Sequence, residues 1–213
     1  MPDRMMVFVD YQNTYKGARD AFFPNATTGM EGQFHPLALA NVLCQIRQEY
    51  RETELTKVLV YRGMPDVRKD PKGNSASSRQ KARWEKAGIV VKTRPLRYPL
   101  EWPQEKPQEK GVDVQLAIDY VTMASRGEYD VGVLVSCDTD LRPALEEVQR
   151  VHKSTEVAAW QSGSGNSPRL SLPDGQRGPV WCHWLDLSVF ERCCDKTDYN
   201  KPTPSESQTT PLK

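Results

Sequence analysis

The chain has 213 residues, 38% apolar and 27% charged. That is long enough for one sizeable core and too polar for a membrane-embedded protein. No apolar run approaches the ~20 residues needed to cross a bilayer. Met5–Val9 is too short for a secretory core and is interrupted by Asp10. The five cysteines are an odd number without framework spacing, which points to reduced thiols and a cytoplasmic location. Cys182 and His183 with Cys193 and Cys194 match no standard zinc spacing.

Net charge is +1, but eleven Lys/Arg and only three Asp/Glu fall between Arg62 and Arg97, giving that stretch +8 and the rest of the chain −7. A basic arm on an acidic body is the asymmetry of a protein whose partner is a polyanion. Within it, Gly63, Pro65, Pro71 and Gly73 place Arg68, Lys69 and Lys72 in a loop. Arg79, Arg83 and Lys86 recur at helical spacing. Together with Arg62 and Lys110 these are the candidate nucleic-acid-binding residues. A solvated helix face is the alternative use of the same charges.

In chain order, Met5–Val9 reads as a first strand ending at Asp10. Helices are expected over Tyr15–Phe22 and Pro36–Arg51, and a second strand over Lys57–Tyr61. Gly63–Ser78 reads as a loop, followed by a helix capped at Ser77 or Ser78 and stopped at Gly88. A third strand follows at Ile89–Lys92. Prolines at 95, 99, 103 and 107, with a doubled Gln-Glu-Lys, mark an extended excursion.

Val112–Ser125 is the clearest helix, with an apolar stripe of Val114, Ala117, Ile118, Val121 and Ala124. Val131–Val135 is a strand buried on both faces, and it runs into Ser136-Cys137-Asp138-Thr139-Asp140. A helix over Pro143–His152 and a fifth strand over Glu156–Trp160 come next. Gln161–Pro179 reads as a mobile loop, Val180–Leu187 as a further strand or edge segment, and Ser188–Cys193 as a short helix. One domain over 1–200 and a disordered tail over 201–213 are expected. Strands alternating with helices predict an α/β fold with a mainly parallel sheet of about five strands between two helical layers. No glycine-rich phosphate loop is present, so a nucleotide cofactor is not expected.

Asp10 and the pair Asp138 and Asp140 end strands one and four, and Asp113 opens the Val112–Ser125 helix. If those strands are neighbours, the acids meet at the carboxyl edge of the sheet. Crowded carboxylates raise one another's pKa unless a cation neutralises them, and oxygen-only ligands suit Mg²⁺ or Mn²⁺. Each Asp also has a local alternative use, capping or turning the helix that follows it.

Val7-Phe8-Val9-Asp10-Tyr11-Gln12-Asn13, then Lys110-Gly111-Val112-Asp113-Val114-Gln115-Leu116-Ala117-Ile118-Asp119, then Tyr129-Asp130-Val131-Gly132-Val133-Leu134-Val135-Ser136-Cys137-Asp138-Thr139-Asp140-Leu141 together resemble NYN domains. These are a LabA-like branch of the PIN-like ribonucleases, and the three segments stand in family order over roughly residues 5–160. The resemblance implies a PIN-like three-layer fold with metal-binding and catalytic acids at Asp10, Asp113, Asp138 and Asp140. Asn13 joins them as a catalytic residue, with Ser136, Thr139 and Asp119 in support. It implies a Mg²⁺- or Mn²⁺-dependent endoribonuclease acting on single-stranded RNA, and brings a homo-oligomer or an inhibitory protein into view as partners. Cys137, Thr139 and Leu141 depart from the family's usual Gly, small residue and Phe. Two other readings stand beside it: a non-catalytic RNA-binding module, and a haloacid-dehalogenase-like phosphatase with Asp138 as nucleophile.

Overall fold

The computed structural model describes residues 1–163, 167–172 and 180–201. Six parallel strands form one sheet: β1 (Asp3–Asp10), β2 (Thr53–Met64), β3 (Val90–Pro95), β4 (Val131–Val135), β5 (Ser154–Trp160) and β6 (Trp181–Leu185). Their spatial order is β3-β2-β1-β4-β5-β6. This is a doubly wound arrangement that reverses direction between β1 and β4. The sequence predicted about five strands; the segment read as a further strand or edge is the sixth. The connections carry α1 (Tyr11–Phe22), α2 (Pro36–Gln48), α3 (Pro71–Lys86), α4 (Val112–Ser125), α5 (Arg142–Arg150) and α6 (Leu187–Cys193).

Alternation along the central strands divides the core in two. On one face Met5, Val7 and Val9 of β1 with Val58 and Val60 of β2 pack against residues of α1, α2 and α6 and against Trp84 of α3. On the other, Met6 and Phe8 with Leu59 and Tyr61 meet Leu116 and Tyr120 of α4 and Leu145 and Val148 of α5. All five residues of β4 are buried. A Cβ at its Gly132 would lie 2.6 Å from the Tyr120 ring and 2.9 Å from that of Tyr129. Glycine there is what allows both tyrosines to lie on the strand.

Three expectations are corrected. Helix α1 begins at Tyr11 rather than Tyr15, because the Asp10 side chain accepts from the Asn13 N–H and caps it with no intervening loop. Helix α3 begins at Pro71, inside the stretch read as a loop. Asp70 caps it by accepting from the Gly73 N–H, and proline fits a first helical turn. Lys72 therefore sits on a helix. On α4 the buried residues are Val112, Leu116, Tyr120 and Ala124, whereas Val114 and Ile118 are exposed. Tyr120 carries the buried stripe because its hydroxyl finds the Gly132 carbonyl at 3.0 Å, a polar end that counting aliphatic residues misses. The loop expected over Gln161–Pro179 and the tail beyond Lys201 lie in part or wholly outside the described residues.

Away from the carboxyl edge, Arg47 is buried between Glu156 at 3.0 Å and Asp3 at 2.9 Å, and Glu156 also bonds His183 at 2.7 Å. Burial pushes the Glu156 carboxyl up, but the His183 and Arg47 bonds outweigh it and hold the group below its ordinary value. A depressed carboxylate stabilises the fold above its unfolded pKa, and that contribution is lost as the pH falls through the folded value. Glu156→Gln leaves Arg47 with half its compensation and is predicted to cost about 3 kcal/mol at pH 7. The wild-type advantage should shrink as the pH falls below the ordinary glutamate range, as read by urea unfolding at pH 7 and pH 4. An equal gap at both values would contradict the charge argument.

Candidate active site

The register pairs Val9 with Val135, so Asp10 and Ser136 leave the sheet side by side at the reversal point. Asp10 is 7% exposed. One of its carboxylate oxygens accepts from the Asn13 N–H at 3.2 Å and the other from the Ser136 hydroxyl at 3.3 Å. Ser136 in turn accepts from the Asp138 N–H at 3.1 Å, and the Asn13 carboxamide oxygen accepts from the Cys137 N–H at 2.9 Å. Asn13 and Ser136 thus tie the end of β4 to the start of α1 and fix Asp138 relative to Asp10.

Beside them a cavity of ≈ 260 Å³ is lined by Asp10, Gln12, Asn13, Lys16, Glu109, Val112, Asp113 and Asp138. Four carboxylates arrive on four segments: the end of β1, the proline-rich excursion, the first turn of α4 and the end of β4. Sequence reasoning missed Glu109. Its residue type was visible beside the Lys110-Gly111 turn, but its direction was not. Pairing of Arg97 with Gln108 folds the excursion back on itself, and the Glu109 side chain accepts from the Gly63 N–H of β2. Lys16, a second missed residue, projects from α1 three residues after Asn13, just past the end of the motif.

Burial pushes the Asp10 carboxyl up to about 6, and Glu109 and Asp138 push the same way against the pull of the Asn13 and Ser136 bonds. Burial likewise raises Glu109. The cavity therefore holds negative charge that its own lining does not balance. Oxygen donors of this kind match Mg²⁺ or Mn²⁺ in chemistry. As the side chains stand, no three acidic, His or Cys groups among the described residues are gathered closely enough to hold an ion. The donor set fits, and the groups would have to close around a cation.

Asp140 and Thr139 are exposed in a 3-10 turn after β4 and do not line the cavity; the Asp140 N–H donates to Asp138 at 3.0 Å. Asp119 is also outside, accepting from the Tyr61 hydroxyl at 2.9 Å and the Gln115 amide at 3.1 Å. Cys137 turns away as alternation requires, its thiol against the Pro168 carbonyl at 3.1 Å, and burial raises it to about 11. All five cysteines are free.

The basic arm is less uniform than its charge count. Arg68, Lys69, Lys72, Arg83 and Lys110 are exposed, with Lys69 5.0 Å from the Tyr98 ring centroid. Arg79 donates to the Tyr199 carbonyl at 2.8 Å, and Arg62 is turned inward against Tyr11 and Trp84.

No curated protein matches the sequence. Among solved structures, a protein of unknown function from Vibrio parahaemolyticus is similar at 21% identity and a TM-score of 0.49, over 74% of this chain and 81% of that one. Residues 4–171 match the NYN domain, a span that contains every carboxylate of the cavity. The chain belongs to the NYN domain family, within the PIN-like nuclease superfamily.

Proposed function

We propose that the chain is a Mg²⁺- or Mn²⁺-dependent endoribonuclease that hydrolyses single-stranded RNA in a cytoplasmic compartment. One observation carries the reading: four carboxylates from four separate segments line one cavity at the reversal point of a parallel sheet, where such folds bind ligands. Family membership supports a nuclease in general, and the basic arm supports a polyanionic substrate. The phosphatase alternative needs Asp140 beside Asp138, and Asp140 is exposed outside the cavity. Among the described residues no helix is long and apolar enough to cross a membrane.

Asp10, Glu109, Asp113 and Asp138 would hold the cation, which supplies the charge that activates a water and stabilises the leaving oxygen of a phosphodiester. Asn13 and Ser136 hold the two strand ends in register so that Asp10 and Asp138 keep their spacing. Lys16, at the rim, offsets part of the negative charge that a phosphate would meet on approach. Arg68, Lys69 and Lys72 lie beyond the carboxyl end of β2, the same sheet edge, and draw the strand across it.

Asp138→Asn and Asp113→Asn are each predicted to lower Mn²⁺-dependent cleavage of labelled single-stranded RNA at least a hundredfold with circular dichroism unchanged. Asp119→Asn should cleave within a fewfold of wild type and lose about 1 kcal/mol of stability with its Tyr61 bond weakened. Full activity in EDTA would refute the metal-dependent reading, and RNA binding without cleavage would favour the binding module.

A second prediction concerns salt. With Arg68, Lys69 and Lys72 replaced by Ala, the slope of log K against log[salt] should flatten by roughly two units, since each single-strand phosphate contact contributes about 0.7. Affinity should fall alike for all sequences. An unchanged slope would mean that the strand takes another path.

A further inference from the structure

A second cavity, of ≈ 310 Å³, adjoins the acidic one and shares Gln12 and Glu109 with it. Its unusual wall is Arg62 of β2. The guanidinium lies 5.3 Å from the Tyr11 ring centroid and 5.7 Å from that of Trp84. It donates to the Gln80 side-chain carbonyl and, at 3.3 Å, to the Ser77 hydroxyl, while its buried Nε has no partner. Among the described residues no carboxylate forms an ion pair with it. Arg47, which is also turned inward, is held by two. Glu109 attracts the guanidinium without forming an ion pair, so a cation held by a neutral amide and a hydroxyl is offset only in part and remains open to an incoming anion.

The remaining wall suits a nucleotide rather than a bare ion. Tyr11 and Tyr15 stand stacked at 6.2 Å with 15° between their planes, and both line the cavity. Its volume is at the lower end of the range for small-molecule pockets. Two carboxylates also line it, and both are engaged: Glu109 with the Gly63 N–H, and Asp198 with Lys201 at 3.3 Å. At Gly63 a Cβ would lie 2.8 Å from the Glu109 side chain, so glycine there allows the partition between the cavities to close.

We propose that this cavity binds one nucleoside monophosphate unit, its phosphate against Arg62 and its base beside Tyr15. The proposal deepens the nuclease reading and rests on it for one consequence: the bound unit is the nucleotide next to the scissile phosphate, because Gln12 and Glu109 belong to both cavities. The same chemistry could be offered by a free nucleotide, and the experiment separates the two sources.

The test is a titration of the full chain with AMP and with UMP in EDTA, followed by isothermal calorimetry, alongside Mn²⁺-dependent cleavage of RNA. Binding of a nucleotide at micromolar to low-millimolar concentration, weakened at least tenfold by Arg62→Met, is the expected result. Since Arg62→Met can disturb the packing on Trp84, Ala76→Phe provides a second variant that fills the cavity and leaves the guanidinium in place. It too should weaken binding at least tenfold. A rise in KM for RNA in both variants, with kcat changed less, assigns the occupant to the RNA strand. Lost AMP binding with KM unchanged still supports the pocket and assigns it to free nucleotide. Nucleotide binding intact in a chain that cleaves no RNA sinks the nuclease reading and leaves the pocket standing. No binding by the folded wild-type chain, or binding unaltered in both variants, overturns the proposal.

Discussion

The parallel register of β1 against β4 is the constraint from which the site follows. It pairs Val9 with Val135, so the chain must deliver Asp10 and the Ser136–Asp138 turn to one point, and it leaves Asp10 almost without water. A carboxyl moved from 3.8 to about 6 represents about 3 kcal/mol of differential cost to its charged form. Because the folded value is the higher one, the protein loses stability as the pH rises through the interval between them. A fold built only for stability would replace such a group with a neutral side chain. Retention of this charge, beside Glu109, Asp113 and Asp138 and with Lys16 as the cation in the lining, is the pattern of groups whose compensation comes from outside the chain.

How far the sequence revealed this depended on whether a residue acts through its own segment or through a distant one. The β4 run and its abrupt end were legible because burial on both faces leaves an uninterrupted apolar stretch, and the family-like segments fixed Asp10, Asp113 and Asp138. Asp140 belongs to the same motif but is exposed, since a 3-10 turn at Thr139–Leu141 carries it outward. Glu109 was illegible. Its place depends on an Arg97–Gln108 bridge and a bond to Gly63, forty-six residues away in the chain, and no local periodicity reports such pairings. The same limit explains α3, whose proline, glycine and serines read as loop punctuation although Asp70 had already capped a helix.

Charge counting has a parallel weakness. Eleven basic residues give the Arg62–Arg97 stretch its sign, but geometry divides them among different tasks. Lys81 pairs with Glu85 at 2.8 Å, Arg94 donates to Gln115 at 2.6 Å, and Arg79 ties down the backbone at Tyr199. The Asp66 carboxylate accepts from the Arg68 and Lys69 N–H groups while the Asp66 N–H donates to the Tyr98 hydroxyl at 3.0 Å, so that loop is held with its cations on the outer surface. The arm is thus a mixture of brackets, exposed charges and the cavity-lining Arg62, and only the last two kinds can meet phosphate.

Arg47 and Arg62 make the distinction sharpest. Arg47 sits at the amino-terminal half of the sheet between Asp3 and Glu156, and its charge is consumed in joining α2 to β1 and β5. Arg62 sits where β2 reaches the carboxyl edge and is held by neutral partners and aromatic faces. Burying either costs solvation, and in the first case ion pairing offsets much of that cost. In the second the offset is incomplete within the chain itself. The acids of one cavity and the buried arginine of its neighbour are therefore one arrangement, with Glu109 on the wall between them. A ligand that spans that wall must present negative charge to Arg62 and, through a cation, to the carboxylates. A phosphodiester strand does both.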